Sequence, residues 1–312
     1  MRAKSRHYAI PLLVASIAIA GCGGTGKTKK DEIEEPSIPS GVVGAPGDPA
    51  KPISFDIGGA AFRPGGTLSM PLDAYIPQAD RVQLFRALDI LDRECMKEQG
   101  VDWPGQPREQ GINLPVEAEY GVIDLDWAKL HGYEVPPSPD AAGQANTPPP
   151  AELSSAAVAA YFGNPQKKEP GCEGKSQQKL STSKSEAAYQ YVRGLQDKAH
   201  SRSMNDSRVR AVNAEWSKCM KDAGFSYPDP MAAATDKVLL GKGGVPSTTQ
   251  EKTAAAADAT CKRVTQYVQI RAVVTAAYQK GLIETNAEKL REGQGEWTQV
   301  LERANEVLRG KQ

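Results

Sequence analysis

Five cysteines, three histidines and a scatter of carboxylates are the residues of this 312-residue chain that could carry chemistry. A cysteine can be a thiolate nucleophile, a metal ligand or half of a disulfide. Cys95, Cys172, Cys219 and Cys261 include no C-x-x-C pair, and beyond residue 21 the only histidines are His131 and His200. A metal centre would want paired cysteines or nearby histidines, and a thiol nucleophile would want an adjacent base. No metal, cofactor or catalytic residue is therefore expected here. Hydrolysis of a glycan by general acid–base chemistry needs two carboxyls across a cleft at a set separation. Glu94, Glu98, Asp102, Glu117 and Glu119 are the candidates, although acidic residues on helices are ordinarily solvated faces. His131 and His200 fall near the C-termini of predicted helices, where the dipole favours a cationic ring, and both read as structural.

The fifth cysteine has a different setting. Arg2, Lys4 and Arg6 precede an apolar run from Ala9 to Ala20, broken only by Pro11 and Ser16. That run is too short to span a hydrocarbon core of ~30 Å at about 1.5 Å per residue, and it fits the apolar region of a secretory signal. It ends Ile19-Ala20-Gly21-Cys22, which resembles the bacterial lipobox. The resemblance implies diacylglyceryl transfer to the Cys22 thiol and cleavage between Gly21 and Cys22. Residues 1–21 are then a lipoprotein signal peptide, and Cys22 is the lipid attachment point on the outer face of the cytoplasmic membrane. Stable anchoring of this kind takes more than one acyl chain, at about 0.8 kcal/mol per buried methylene. Gly21 to Thr28 also matches the phosphate-loop pattern G-x-x-x-x-G-K-T. That loop needs a buried strand before it and a helix after it. Here a signal segment precedes it and a charged, Pro-broken stretch follows, so a nucleotide site is rejected.

The elements that must position the remaining residues are helical. Apolar residues are 39% of the chain and aromatics 6%, with 29 Gly and 23 Pro, which leaves room for modest cores and much irregular chain. The 38 basic and 38 acidic residues cancel, which excludes a basic nucleic-acid binder. The stretch from Pro36 to Gly66 is dense in Pro and Gly, and residues 22–70 read as a flexible tether. Leu84, Phe85, Leu88, Leu91 and Cys95 recur at helical spacing, stopped at Gly100. Further helices are expected over 123–131, 151–162, 174–200 and 206–223, capped in the last case by Asn205 or Asp206. The C-terminal stretch carries a long helical stripe from Val264 to Leu308, with a kink or break expected at Gly293–Gly295. No strand-period segment competes, so the expected fold class is all-α, an elongated helical bundle.

Cys95-Met96-Lys97-Glu98-Gln99-Gly100-Val101-Asp102-Trp103-Pro104 aligns with Cys219-Met220-Lys221-Asp222-Ala223-Gly224-Phe225-Ser226-Tyr227-Pro228. Five of the ten positions are identical, and each copy reads as a helix stop that folds an aromatic back over the Cys-bearing face. One further cysteine follows each copy, read as lying at the start of a long helix. Four cysteines allow three pairings, and the duplication favours Cys95–Cys172 and Cys219–Cys261. This predicts two disulfide-stapled units, residues 71–200 with a long Pro-rich loop and residues 201–312 with a long C-terminal helix.

The lipobox, the Pro71-Leu72-Asp73-Ala74-Tyr75 segment, the Cys-Met-x₃-Gly-aromatic helix ends and the Asp258-Ala259-Thr260-Cys261 segment together resemble a family of uncharacterised secreted actinobacterial lipoproteins. The resemblance implies no established activity. The expected function is a non-enzymatic binding or scaffolding module of the cell envelope. Its partners would be membrane lipid through acylated Cys22 and a cell-wall or envelope protein, with no nucleic acid. The alternatives are an accessory subunit of an envelope export complex, using the C-terminal helix as a packing surface, and a wall-glycan-acting enzyme using paired carboxylates. Trp103, Tyr120, Trp127 and Tyr133 are either a contact patch or, more commonly for such residues, a satellite core over helix ends.

Overall fold

A computed structural model describes residues 34–44, 46–105, 116–137, 154–164, 166–240 and 247–310. The signal segment, Gly21, Cys22, the phosphate-loop look-alike and the Pro148–Pro150 run lie outside the described residues. The described chain from Glu35 onward forms one compact unit.

The chain opens with a two-stranded hairpin, β1 (Phe55–Ile57) and β2 (Ala60–Phe62), in register Phe55 to Phe62, followed by a 3-10 helix, Pro71–Tyr75. Helices α1 (Gln78–Glu98), α2 (Glu117–Tyr120), α3 (Leu125–His131) and α4 (Ser155–Phe162) come next. A second short hairpin, β3 (Gly163–Asn164) and β4 (Glu169–Pro170), leads into α5 (Cys172–Leu180) and α6 (Ser183–Met204). The second half holds α7 (Ser207–Asp222), α8 (Pro230–Ala234), α9 (Lys237–Leu240), α10 (Thr249–Val264), α11 (Tyr267–Thr285) and α12 (Ala287–Leu308). The fold is mostly helical, as the periodicity predicts, and the two small hairpins are an addition to it. Their strands are too short to show a period of two.

Helix starts follow local chemistry. Asp124, Ser154, Thr182, Asp206, Asp229 and Thr248 each accept a backbone N–H of the first turn, satisfying donors that have no partner inside the helix. Thr182 explains why the helix predicted over 174–200 is two helices. Its hydroxyl accepts from Ser185 N at 3.1 Å while Ser185 Oγ accepts from Thr182 N at 2.8 Å, a reciprocal cap inside an otherwise helical run. In the C-terminal stretch the breaks fall at Gln266, in the left-handed region at φ 54°, and at Asn286. They do not fall at Gly293–Gly295, because α12 runs straight through both glycines.

The duplicated segments fold alike. In each, the residue after the Gly donates to the Met carbonyl, Val101 N to Met96 O and Phe225 N to Met220 O, both at 2.9 Å. Gly100 donates to Lys97 O and Gly224 to Lys221 O at 2.9 and 3.0 Å. This two-bond stop needs a positive φ at the glycine, and Gly100 and Gly224 adopt 71° and 91°. Disulfides join Cys95 to Cys172 and Cys219 to Cys261, the pairs that the duplication favours. They close separations of 77 and 42 residues, each worth at most about 4 kcal/mol in a chain-entropy picture. Cys172 does open a helix, but α5 is only nine residues long, and Cys261 lies near the end of α10, so neither stands at the start of a long helix as expected.

The two halves share their largest core. It gathers Val42, Phe55 and Phe62 from the N-terminal segment, Val192 and Leu195 from α6, Val212 and Trp216 from α7, and most of the inward face of α11. Helix α1 packs along α12, α3 along α10, and α6 against both α11 and α12. The apolar stripe from Val264 to Leu308 is thus mostly covered within the chain: Val268, Val274, Leu290, Val300 and Ala304 are buried, while Leu308 is exposed.

Residues 35–70 correct the tether reading. Glu35 accepts from both Ser207 N and Ser207 Oγ at 2.6 Å, at the start of α7, and Gly47 N donates to Val264 O at 2.8 Å at the end of α10. Val42 and Ala60 are fully buried. The Pro and Gly of this stretch build turns, and its few apolar residues are enough because helices elsewhere in the chain bury them.

Glycine packing generates a stability prediction. A Cβ on Gly295 meets nothing within 4 Å, whereas on Gly293 it would stand 3.2 Å from Ala188 Cβ on α6. Gly295→Ala should raise the unfolding free energy by about 1 kcal/mol. Gly293→Ala should gain less, or lose, in urea titrations with the disulfides intact.

Candidate functional site

The sequence-predicted residues are dispersed. The four paired cysteines are structural, and among the described residues no group of three or more His, Cys, Asp or Glu could hold a metal ion. Glu94, Glu98 and Asp102 are exposed on α1 and the turn after it, while Glu117 and Glu119 sit on α2. The structure does not bring the five together, and Glu119 alone of them lines the main cleft. Trp103 and Tyr120 are buried and Trp127 and Tyr133 partly so, which makes them core rather than a contact patch. Trp103 stacks on Tyr161 at 4.2 Å, beside Met96 and Cys172. His131 does end α3, stacked on Trp127 at 3.9 Å. His200 lies inside α6, and its Nδ1 stands 3.6 Å from Glu119 Oε1, so its place is set by a carboxylate rather than by a helix end.

That contact belongs to a cleft of about 1060 Å³. The 3-10 helix and the segment before it form one side, the starts of α1 and α2 another, and α6 with α11 the third. Asp73 lines it, with Oδ2 accepting from Met70 N at 2.8 Å and Oδ1 from Gln196 Nε2 at 3.2 Å. Gln279, buried on α11, is locked by accepting Leu72 N at 2.9 Å. Around these fixed amides stand Arg81, Arg193 and His200 on one count and Asp73, Glu119 and Asp197 on the other. Tyr189, stacked toward Trp297, adds an aromatic edge. The surface therefore mixes apolar residues such as Ile76, Val116 and Tyr120 with polar side chains and charges of both signs.

The two carboxylates titrate in opposite directions. Burial raises the Asp73 pKa above its usual 3.8, against the lowering effects of Met70 N–H, Arg81 and Arg193. Glu119 also feels burial, which raises it, but His200 and the Arg271 charge outweigh that and hold it below 4.5.

A second feature escaped sequence reading. Asp258 and Lys262, one turn apart on α10, form an ion pair at 2.9 Å with both side chains wholly buried. Lys262 Nζ also donates to Val122 O at 3.0 Å, and Trp216 Nε1 donates to Asp258 Oδ1 at 2.8 Å. Burial raises the Asp258 pKa and lowers that of Lys262, each opposed by the partner's charge. The available signal was an Asp and a Lys at i, i+4 beside an alanine run, a spacing that also describes any exposed helix pair.

Compared with protein-family models, curated proteins and solved structures, the chain finds no match.

The electrostatics are open to measurement at both places. Lys262→Met leaves a buried carboxylate unpaired and should cost about 3–5 kcal/mol, part of it recovered by adding Asp258→Asn, as read from urea midpoints. Glu119 contributes stability that is present above its unfolded value of 4.5 and lost as pH falls through its lowered folded value. Asp73 works the other way: between 3.8 and its raised folded value, stability falls as pH rises. Glu119→Gln should therefore shrink the loss of stability between about pH 6 and about pH 3, and Asp73→Asn should enlarge it.

Proposed function

We propose that this chain is a lipid-anchored extracytoplasmic binding module, held by acylated Cys22 at the outer face of the cytoplasmic membrane, that takes a polar envelope ligand in the Asp73–Glu119–His200 cleft. The coarser part of this reading rests on the two disulfides, which an oxidising compartment outside the cytoplasm sustains. No helix among the described residues is long and apolar enough to cross a membrane. The anchor itself is inferred from the lipobox resemblance, together with the likeness to secreted actinobacterial lipoproteins.

The observation that carries the binding reading is the cleft's construction. Gln196, Gln279 and Asp73 are held in place by one another and by backbone groups, so a ligand meets preset polar atoms. Both charge signs line the walls, which suits a ligand with hydroxyl, amide and ionic groups, such as a fragment of wall glycopeptide. The export-subunit reading required a bare apolar stripe on residues 264–308, and that stripe is mostly covered by α1, α6 and α7. Of the glycan-hydrolase candidates Glu94, Glu98, Asp102, Glu117 and Glu119, only Glu119 lines the cleft; Asp73 and Asp197 line it too, and that convergence of carboxylates is the observation that favours this second reading.

The test has two parts. Membrane fractionation should move Cys22→Ser to the soluble fraction. Solubilised wall fragments should be retained by the full chain and lost by about tenfold or more in affinity with Arg193→Glu, an exposed cleft-wall change that leaves the core intact. Equal retention by the variant, or none by the wild type, would overturn the cleft as the ligand seat.

A further inference from the structure

Arg271 is a cation whose placement the cleft and the core leave unexplained. It lies on α11 with 6% of its surface exposed. Among the described residues, no carboxylate is ion-paired with it. Its Nη1 meets Tyr267 Oη at 3.4 Å, its Nη2 meets Met204 Sδ at 3.2 Å, and its buried Nε has no hydrogen-bond partner. The guanidinium stands 4.7 Å from the Tyr120 ring centroid and 5.6 Å from that of Tyr267. Cation–π attraction of this kind offsets only part of the cost of burial. Arginine stays charged in proteins, and burying that charge is costly. Glu119 offsets part of the cost through its charge, with no hydrogen bond between the two.

The guanidinium borders a separate cavity of about 170 Å³, which shares only Tyr120 with the larger cleft. Asp229, whose Oδ1 accepts Ala232 N, stands in the cavity wall, and Asn213 is a further lining residue. Met231, 58% exposed, stands at the cavity's edge. A rigid two-pronged cation and a carboxylate around one small, mostly apolar space form a recognition pattern with direction. An all-acceptor anion such as inorganic phosphate would satisfy Arg271 but confront Asp229. A cation would do the reverse.

We infer that this cavity is a binding site for a small zwitterion, an α-amino acid in chemical class, with its carboxylate on the Arg271 guanidinium and its ammonium toward Asp229. The cavity has room for a short side chain, and Met204, Pro230 and Ala234 give that side chain apolar surroundings. The cavity is distinct from the proposed cleft, sharing Tyr120 with it, and Arg193 lines only the cleft.

The experiment titrates free alanine, propionate and ethylammonium into the full chain, with calorimetry or ligand-observed NMR as readout. Alanine should bind saturably, propionate about tenfold or more weaker, and ethylammonium not measurably. Arg271→Lys, which keeps the charge and loses the fork, should weaken alanine by about tenfold. Because a buried substitution can disturb folding, Met231→Trp provides the second variant: it fills the mouth from an exposed position and should abolish binding while far-UV dichroism and both disulfides stay intact. Absence of saturable alanine binding would overturn the site. So would propionate binding as tightly as alanine, or a folded Met231→Trp variant that binds unchanged. Arg193→Glu should leave alanine binding untouched, which separates failure here from failure of the cleft.

Discussion

The buried Asp258–Lys262 pair is the constraint around which the second half of the molecule is arranged. Two opposite charges with no exposed surface hold only if every remaining donor and acceptor finds a partner, because an imperfectly satisfied buried pair costs more than it returns. Two partners come from other elements: Trp216 reaches across from α7, and the Val122 carbonyl arrives from the chain before α3. Tyr133, after α3, makes no hydrogen bond to the pair but lies close enough for burial and the Asp258 charge to push its hydroxyl pKa far up. Position of α10 relative to α7 and α3 is therefore set by charge satisfaction as well as by apolar contact. The Cys219–Cys261 bridge joins α7 to α10 at the residue next to Lys262, so covalent and ionic constraints act on the same helix pair.

The internal duplication survives as a local device rather than as two bodies. Both copies stop a helix with the same pair of backbone hydrogen bonds, and both use the residue two before the cysteine to hold the chain that follows. Arg93 Nη2 donates to Pro104 O at 2.7 Å, and Ser217 Oγ donates to the Tyr227 carbonyl. What each stop packs against differs. Trp103 joins a small cluster with Tyr161 around the first bridge, whereas Phe225 and Tyr227 lean on the shared core. Equal motifs thus serve unequal surroundings.

Helix existence was legible because the apolar spacing of α1, α7 and α12 repeats over several turns. Their ends were legible where Gly100, Gly132, Gly224 and Asp206 supply local stops. The cysteine pairing was legible through the duplication. What could not be read was long-range: that Pro- and Gly-rich chain from Glu35 to Phe62 would pack into a core made by residues far downstream, or that Gly293 answers to Ala188 on another helix. The cleft was invisible for the same reason. Asp73, Glu119, Gln196, His200 and Gln279 are ordinary polar residues; Gln196 and His200 share one face of α6, but no spacing within a helix ties them to Asp73, Glu119 or Gln279. Arg271 sits on a largely apolar stretch of helix, where its isolation was visible but its burial against two aromatic rings was not.

The strap at the start of the compact unit has a consequence for the order of events in synthesis. Glu35 finds its partner at Ser207, 172 positions later, and Gly47 waits for Val264. Loop closure over such distances is slow, and segments made early gain nothing until their counterparts exist. Almost the whole polypeptide must leave the ribosome before its leading segment can dock, so the nascent chain carries Val42, Phe55 and Phe62 uncovered for most of its elongation.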